Sequence, residues 1–287
     1  MDVEKCKVVA ALDKHTCPIC GKLDGTIIKM SDYEVGSTAP PFHPWCRCTT
    51  APYFEDMEGI GERYARDVET GESFTVPKDM TYEQWKAIQD KKYGAGKVDT
   101  ERKKVYNEVA DKKQFEAYKK RLSDEVPKTF KDFQEFKYTN PEAYKDLTEH
   151  YRYKGRVPEA TKEDFETYKA IKAIGIRGSI RVPALPSQHA YILEDKSSKR
   201  DPAHIMHRMF ERNISADNVQ NYIDNALFSV KQYKGTRRVF YSKEGVTVLT
   251  YTQDYDGIDW IAKTTWSKYD FEETVEKAIQ EAIKHGK

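Results

Sequence analysis

The chain has 287 residues, of which 33% are charged and 38% are hydrophobic. This apolar fraction is low for one large core, so several small packed units joined by charged helices are expected. The 48 basic and 47 acidic residues give a net charge of +1, which excludes a strongly basic nucleic-acid binder but allows local basic patches. No apolar run approaches the roughly 18 residues of a membrane span, and no signal peptide is evident. A membrane protein and a secreted protein are both disfavoured.

Four of the five cysteines lie between Cys17 and Cys48. Cys17 and Cys20 form a Cys-x-x-Cys pair before a glycine, a pattern typical of a tight turn that directs two thiolates toward one point. His43, Cys46 and Cys48 form a second group. Four of these five groups could complete a tetrahedral site of sulfur and nitrogen ligands, the set that zinc prefers. The sequence therefore predicts a small zinc knuckle within residues 1–60.

Two alternatives fit the same residues. The thiols stay reduced without a metal, or Cys20 forms a disulfide with Cys46 or Cys48. The odd number of cysteines fits a disulfide framework poorly, and no βαβ pattern surrounds the pair as in a redox site. A catalytic zinc is disfavoured because closing the site uses all the candidate ligands. Cys6 is expected to be an ordinary helix residue.

Residues 16–25, with the motif Cys-Pro-Ile-Cys-Gly, and residues 40–49, with the motif His-Pro-Trp-Cys-Arg-Cys, resemble the C-terminal part of phage minor head (head-morphogenesis) proteins. The resemblance covers about residues 1–60 and, more loosely, the helices to about residue 155. It implies a minor capsid component that is made in the bacterial cytoplasm and enters the virion head with the portal and capsid proteins. Because such proteins carry a long helical portion before this segment, we expect a C-terminal fragment, a truncated gene or a prophage remnant.

A charged helical spacer is predicted over residues 61–174, and its first part, to residue 80, is expected to be a glycine-containing linker. Its charged faces are expected to be solvated rather than to contact nucleic acid. Caps and apolar spacing predict five helices, over residues 81–92, 99–122, 128–138, 140–153 and 161–173.

Near residue 174 the composition changes, and Gly, Pro and Ser become frequent, which marks a domain boundary. The remaining residues, 175–287, are predicted to form an α+β domain with a four-stranded antiparallel sheet and flanking helices. Asp201 and Ser215 are expected to cap the first two helices, and Asp256-Gly257 is a hairpin signal between the last two strands. The predicted helices are 202–212, 215–225 and 270–284, and the predicted strands are 227–233, 237–242, 246–252 and 258–266.

Two histidines in this domain are candidates for acid–base chemistry. His204 and His207 lie three residues apart on a predicted helix, so their rings are expected to reach one pocket, and Arg208 follows directly. A basic hairpin over residues 231–243 supplies cations and aromatic rings without an acidic residue. Cations provide affinity for phosphate, and aromatic faces stack on unpaired bases.

This set contains what RNA cleavage without a metal requires. A neutral imidazole takes the proton from the ribose 2′-OH, an acid protonates the leaving 5′-oxygen, and Arg or Lys stabilises the charge on the phosphorus oxygens. We predict that His204 and His207 are acid and base. The other candidates are Arg208, Arg237 and Arg238 as phosphate contacts, Thr264 or Tyr241 as orienting hydroxyls, and Lys231, Lys234 and Tyr233 as substrate-binding residues.

The predicted order of two helices, a four-stranded meander and a terminal helix resembles the barnase/EndoU/colicin/RelE-like nuclease superfamily. The residues that carry this resemblance are 204–208, 217–219, 237–241 and 264–266. Phage minor head proteins carry such domains at their C-termini. The resemblance implies an endoribonuclease that uses no metal and leaves a 2′,3′-cyclic phosphate.

A purely structural role fits the same residues. Paired histidines on a surface helix are commonly ordinary polar groups, and edge Lys and Arg also protect a sheet from aggregation. The second hypothesis is therefore a head protein whose C-terminal domain is an inactive, protein-binding module. The motifs of other enzyme classes are absent or incomplete, among them Walker A, Rossmann and Gly-x-Ser-x-Gly.

Overall fold

The computed structural model describes residues 3–57, 59–184, 191–193, 201–252 and 260–285. It confirms the predicted mixed α+β class. The chain divides into two units, Met1–Leu147 and Thr148–Lys287. Among the described residues, none of the helices combines the length and apolar character that crossing a membrane requires.

A three-stranded antiparallel sheet opens the N-terminal unit, with β1 (Lys5–Val9) between β2 (Ile27–Lys29) and β3 (Thr49–Pro52). The short helix α1 (Pro18–Leu23) lies between β1 and β2 in the chain. Alternation along β1 buries Cys6 against a small apolar cluster. The prediction that Cys6 is a helix residue was therefore wrong, because five residues are too few for their alternation to be distinguished from a helical pattern.

The expected linker before residue 80 instead contains a hairpin of β4 (Glu62–Arg66) and β5 (Ser73–Pro77). Its apolar residues pack into a cluster around the fully buried Trp85. Trp85 belongs to α2 (Tyr82–Tyr93), which begins at the predicted capping box. The glycines that suggested a linker lie at turns, such as Gly71 with φ +74° between the two strands.

The helix predicted over residues 99–122 is two helices, α3 (Lys97–Tyr106) and α4 (Glu108–Leu122), which meet at Asn107. Two further helices follow, α5 (Phe130–Thr139) and α6 (Pro141–Arg156), and the boundary between the two units lies inside α6.

In the described ranges, six strands form the sheet of the C-terminal unit, so the prediction of four was incomplete. The strands are β6 (Ser179–Arg181), β7 (Tyr191–Ile192), β8 (Phe228–Gln232), β9 (Arg237–Tyr241), β10 (Gly245–Tyr251) and β11 (Trp260–Ser267). Their order is β6-β8-β9-β10-β11-β7, in which β8 to β11 form the predicted antiparallel meander and β7 pairs with β11 in parallel. The predicted hairpin at Asp256-Gly257 lies outside the described residues.

Helices cover both faces of this sheet. On one face are α7 (Lys162–Ile174) and α10 (Glu273–Lys284), and on the other are α8 (His204–Glu211) and α9 (Ala216–Asp224). Tyr153, Phe165 and Ile171 pack in the core of the first face. Their aromatic and aliphatic side chains place α7 and the end of α6 within the C-terminal unit, so the contact boundary falls before the predicted one near residue 174.

Gly245, at the start of β10, provides a test of the packing between the sheet and α9. A Cβ atom at Gly245 would lie 2.2–2.5 Å from ring carbons of Tyr222. Gly245→Ala is therefore expected to lower the free energy of unfolding by about 1–3 kcal/mol, because the ring must move within a packed core. Chemical denaturation measures this loss. In a Tyr222→Ala background the same substitution should cost clearly less, and an equal cost in both backgrounds would exclude the ring as the cause.

Candidate functional site

Helix α1 directs two of the predicted ligands toward a third. Cys17 is the N-cap of α1, and its Sγ accepts a hydrogen bond of 3.3 Å from the backbone N–H of Cys20. His43 approaches both cysteines, since its Nε2 lies 3.1 Å from the Sγ of Cys17 and 3.0 Å from the Sγ of Cys20. The two sulfurs and the imidazole nitrogen thus lie close together at the start of α1.

Cys20 also belongs to a second trio. Its Sγ lies 3.6 Å from the Sγ of Cys46, and the donor atoms of Cys20, Cys46 and Cys48 lie within 4.8 Å of one another. The donor atoms of Cys17, Cys20 and His43 meet the same limit. All five cysteines of the chain are free thiols. The five predicted ligands therefore form one cluster, with Cys20 at its centre.

The donor set fits a tetrahedral metal ion. At a Zn–S distance of about 2.3 Å, two sulfurs of a tetrahedral site are separated by about 3.8 Å, close to the 3.6 Å between the Sγ atoms of Cys20 and Cys46. The Nδ1 of His43 donates to the carbonyl oxygen of Pro44 at 2.7 Å, so the lone pair of Nε2 is available to a metal. To make room for an ion, the imidazole of His43 must move slightly away from the sulfurs of Cys17 and Cys20. The cluster can therefore bind a metal.

The thiols differ in acidity. Burial raises the pKa of Cys20 far above its ordinary value and raises the pKa of Cys48 to about 11. Burial acts in the same direction on Cys17, but N–H donors such as that of Cys20 outweigh it and lower the pKa of Cys17. A divalent cation would favour the thiolate form of every coordinating cysteine.

An ion pair fixes the loop that carries Cys46 and Cys48. Arg47 donates two hydrogen bonds to the carboxylate of Asp13, at 2.7 and 2.6 Å. Asp13 is 6% exposed and also accepts from the backbone N–H of His15. Burial tends to raise the pKa of Asp13, but the guanidinium outweighs it and holds this pKa below its usual range. This pair was not predicted from the sequence, although Arg47 stands between two candidate ligands.

A second site is a groove of about 660 Å³ in the C-terminal unit. Among the described residues, its lining includes cations and hydroxyl groups but no carboxylate. The cations are Arg208, Arg212, Arg237 and Lys263, with the imidazole of His204 beside them, and the hydroxyl groups are those of Tyr233, Thr236, Thr250 and Thr264.

One side of the groove is provided by α8 and the residue that follows it. His204, Arg208 and Arg212 are spaced by four residues, so they lie along one face of the helix. Arg212 Nη1 donates to the carbonyl oxygen of Thr265, and this hydrogen bond ties the end of α8 to β11. Arg208 forms an exposed ion pair of 2.9 Å with Glu211.

The sheet provides the other side. Arg237 of β9 and Thr250 of β10 are cross-strand partners. The register between β10 and β11 shifts between Val248 and Leu249, so Lys263 is an extra residue opposite β10. Bulges of this kind redirect side chains next to binding sites. Burial lowers the pKa of Lys263 from its ordinary value.

The groove brings together five of the predicted residues, His204, Arg208, Arg237, Thr264 and Tyr233. His207 is not part of its lining. The Nδ1 atoms of His204 and His207 lie 3.3 and 3.4 Å from the same Oδ2 atom of Asp201. Asp201 was predicted to cap α8, but the N-cap is Ala203, and the carboxylate of Asp201 orients the two imidazoles instead.

The remaining predicted residues lie elsewhere. Tyr241 is buried and stacks on Phe228 with ring centroids 4.5 Å apart, and burial raises its pKa to about 12. The prediction that its hydroxyl orients the substrate was therefore wrong, because Tyr241 is buried and does not line the groove. The guanidinium of Arg238 lies 4.7 Å from the ring centroid of Trp260. Lys231 and Lys234 are exposed on or beside β8 and do not line the groove.

Four of the lining residues were not predicted, and they differ in whether the sequence contains a signal for them. Arg212 could have been found, because it continues the four-residue spacing of His204 and Arg208. Thr236 and Thr250 line the groove because of the register of the meander, and Lys263 lines it because of the bulge. Neither feature has a signal in the sequence alone.

The described structure is thus an α+β protein with a Cys/His cluster of metal-binding type in one unit and a basic groove in the other. Residues 1–51 match a family model described as Phage Mu protein F like protein. The matched span contains the whole Cys/His cluster. The match does not extend to the C-terminal unit. No curated protein and no solved structure matches the chain.

Proposed function

We propose that this protein is a phage head component in which the Cys/His cluster holds a structural zinc ion and the basic groove cleaves RNA. The match over residues 1–51 supports the assignment as a phage head component and makes portal and capsid proteins the expected partners. The localisation that follows is the bacterial cytoplasm during assembly and then the virion head.

The ligand set supports a structural rather than a catalytic zinc. Cys17, Cys20, Cys46, Cys48 and His43 are all sulfur or nitrogen donors, and four of them fill a tetrahedral site without an open position. The ion would join α1 to the loop before β3. A segment with so small an apolar cluster gains stability from such a link.

One observation carries the proposal for the groove: within the part of the chain that the structure describes, His204 lies in a lining that contains four cations and no carboxylate. A groove of this charge attracts a phosphodiester backbone, and a guanidinium binds phosphate oxygens through paired hydrogen bonds. Asp201 holds Nδ1 of His204, which leaves Nε2 to exchange protons with a substrate. Binding and proton transfer are thus combined in one place.

The reaction that this arrangement supports is transesterification. His204 accepts the proton of a ribose 2′-OH, the 2′-oxygen attacks phosphorus, and the bond from phosphorus to the 5′-oxygen breaks. The proton then passes from His204 to the leaving 5′-oxygen, and the products are a 2′,3′-cyclic phosphate and a 5′-hydroxyl. Arg237 and Lys263 stabilise the negative charge on the phosphorus oxygens during the attack. His207 lies outside the lining and assists through their common carboxylate.

Incubation of the full chain with total tRNA in EDTA tests this activity. We expect discrete cleavage products whose amount rises with protein concentration, because the proposed reaction is carried by the imidazole and the cations of the groove. Intact tRNA at every protein concentration would contradict the proposal.

A structural role is the second candidate. The exposed ion pair between Arg208 and Glu211 is typical of an ordinary helix surface. In this case the groove binds an acidic segment of another head protein, and the tRNA assay gives no products.

A further inference from the structure

Tyr233 stands apart from the other aromatic residues predicted to contact bases. Phe240 and Tyr241 are buried in the two cores of the C-terminal unit, whereas Tyr233 is 71% exposed. It lines the basic groove together with Arg237, whose guanidinium carbon lies 5.9 Å from the centroid of the Tyr233 ring. Tyr233 is thus an aromatic face presented to solvent beside a phosphate-binding cation.

The backbone at Tyr233 is held in an uncommon conformation. Its φ is 46°, and that of Lys234 is 58°, so two consecutive non-glycine residues are left-handed. Such conformations are costly and persist where the surroundings enforce them, commonly at ligand sites. Here Thr236 donates to the carbonyl oxygen of Tyr233 from its backbone N–H at 3.2 Å and from its Oγ1 at 2.9 Å. Tyr251 N–H in turn donates to the carbonyl oxygen of Thr236 at 2.7 Å. The backbone that carries the exposed ring is therefore held in place by the fold.

We propose that Tyr233 is a stacking platform for an unpaired base, so that the groove accepts single-stranded nucleic acid in preference to a duplex. This inference rests on the proposed function, since it requires that the groove binds a nucleic-acid backbone. An unpaired base can leave its own strand and stack on an aromatic ring, while a duplex base has both faces covered by its neighbours. Arg237 reinforces the arrangement, because it contacts the ring face and can also bind the adjacent phosphate.

Fluorescence anisotropy with a short labelled 2′-O-methyl RNA tests the proposal, because this probe lacks the 2′-hydroxyl and is not cleaved. The full chain should bind the single strand more tightly than the matching duplex. Tyr233→Ala and Tyr233→Leu should weaken single-strand binding by about 5- to 100-fold, which corresponds to the loss of one base–aromatic stack. Tyr233→Phe should stay within about twofold of the wild type, since it keeps the ring. Inorganic polyphosphate, which has charge but no bases, should bind all these variants equally.

Tyr269 provides the matched control. It is a tyrosine with 88% exposure in the same unit, and it carries a lysine over its ring at 5.5 Å, but it does not line the groove. Tyr269→Ala should leave binding of the single strand unchanged. Thermal unfolding of each variant verifies that an exposed substitution has not affected folding.

The outcomes separate this inference from the proposed function. If Tyr233→Ala binds normally while Arg237→Ala weakens the binding of both RNA and polyphosphate, the stacking role is wrong and the phosphate site stands. Duplex binding as tight as single-strand binding would also overturn the inference. If the wild type binds none of the probes, or if Arg237→Ala has no effect, the proposed function fails as well.

Discussion

The full chain, purified under reducing conditions without added metal, is expected to contain about one zinc ion per chain, and Cys20→Ser is expected to lose it. Cys20 is the residue to change because its sulfur belongs to both trios of donors. Removing a ligand should lower the affinity for zinc by at least about 100-fold, since even supporting residues outside the coordination sphere contribute 10- to 100-fold. Atomic emission spectrometry of the wild type and the variant measures this change directly.

Loss of the ion should also loosen the segment that it joins. Structural zinc contributes apparent binding free energies of about 10–16 kcal/mol, far more than the small apolar cluster of this sheet can replace. Limited proteolysis of Cys20→Ser should therefore produce cuts between α1 and β3 that the wild type resists. Cys6→Ala is the control, because Cys6 is a buried cysteine of the same sheet but lies outside the donor cluster. Wild-type protein that is free of metal yet protected from proteolysis would contradict the zinc site.

His204→Ala is expected to slow RNA cleavage by about 10²–10⁴-fold while it leaves RNA binding nearly unchanged. The reason is that His204 is the proton carrier in the groove, while the affinity for phosphate comes from the four cations. Single-turnover cleavage and anisotropy with an uncleaved probe separate the two effects. Arg237→Ala should reduce both the cleavage rate and the affinity for RNA, because the guanidinium of Arg237 is placed to bind the RNA backbone and to stabilise the transition state.

Two other histidines serve as controls for this prediction. His207 shares Asp201 with His204 but lies outside the lining, so His207→Ala should cost no more than about tenfold. His285, near the end of α10, lies 3.6 Å from Glu281 and does not line the groove, so His285→Ala should have no effect. A larger loss from His207→Ala than from His204→Ala would show that the groove does not contain the reacting group.

Much of the C-terminal fold could be predicted because its signals are local. Alternation and turn residues located β8 to β11 to within about two residues, and capping residues located α2, α7 and α9. The strands β6 and β7, with three and two residues, are too short to show any period. Their pairing depends on contacts with distant strands, and the parallel contact of β7 with β11 has no counterpart in the sequence.

The candidate sites show the same division. The Cys/His cluster was complete in the sequence because its ligands lie in two short motifs, whereas its support by Asp13 depends on tertiary contact. For the groove, helical spacing correctly indicates that His204 and Arg208 share one face of α8. It wrongly favoured His207, three residues after His204, over Arg212, eight residues after it. Strand alternation could not have excluded Tyr241, since it places Tyr241 on the same face as Arg237, which does line the groove.

The most direct measurement of the central claim uses a DNA strand that contains a single ribonucleotide. If the groove cleaves by attack of a 2′-hydroxyl, the full chain should cut this strand once, immediately after the ribonucleotide, and leave a 2′,3′-cyclic phosphate and a 5′-hydroxyl. The same strand made entirely of DNA should remain intact. Cleavage of the all-DNA strand, or an intact chimeric strand under conditions in which it is bound, would contradict the account.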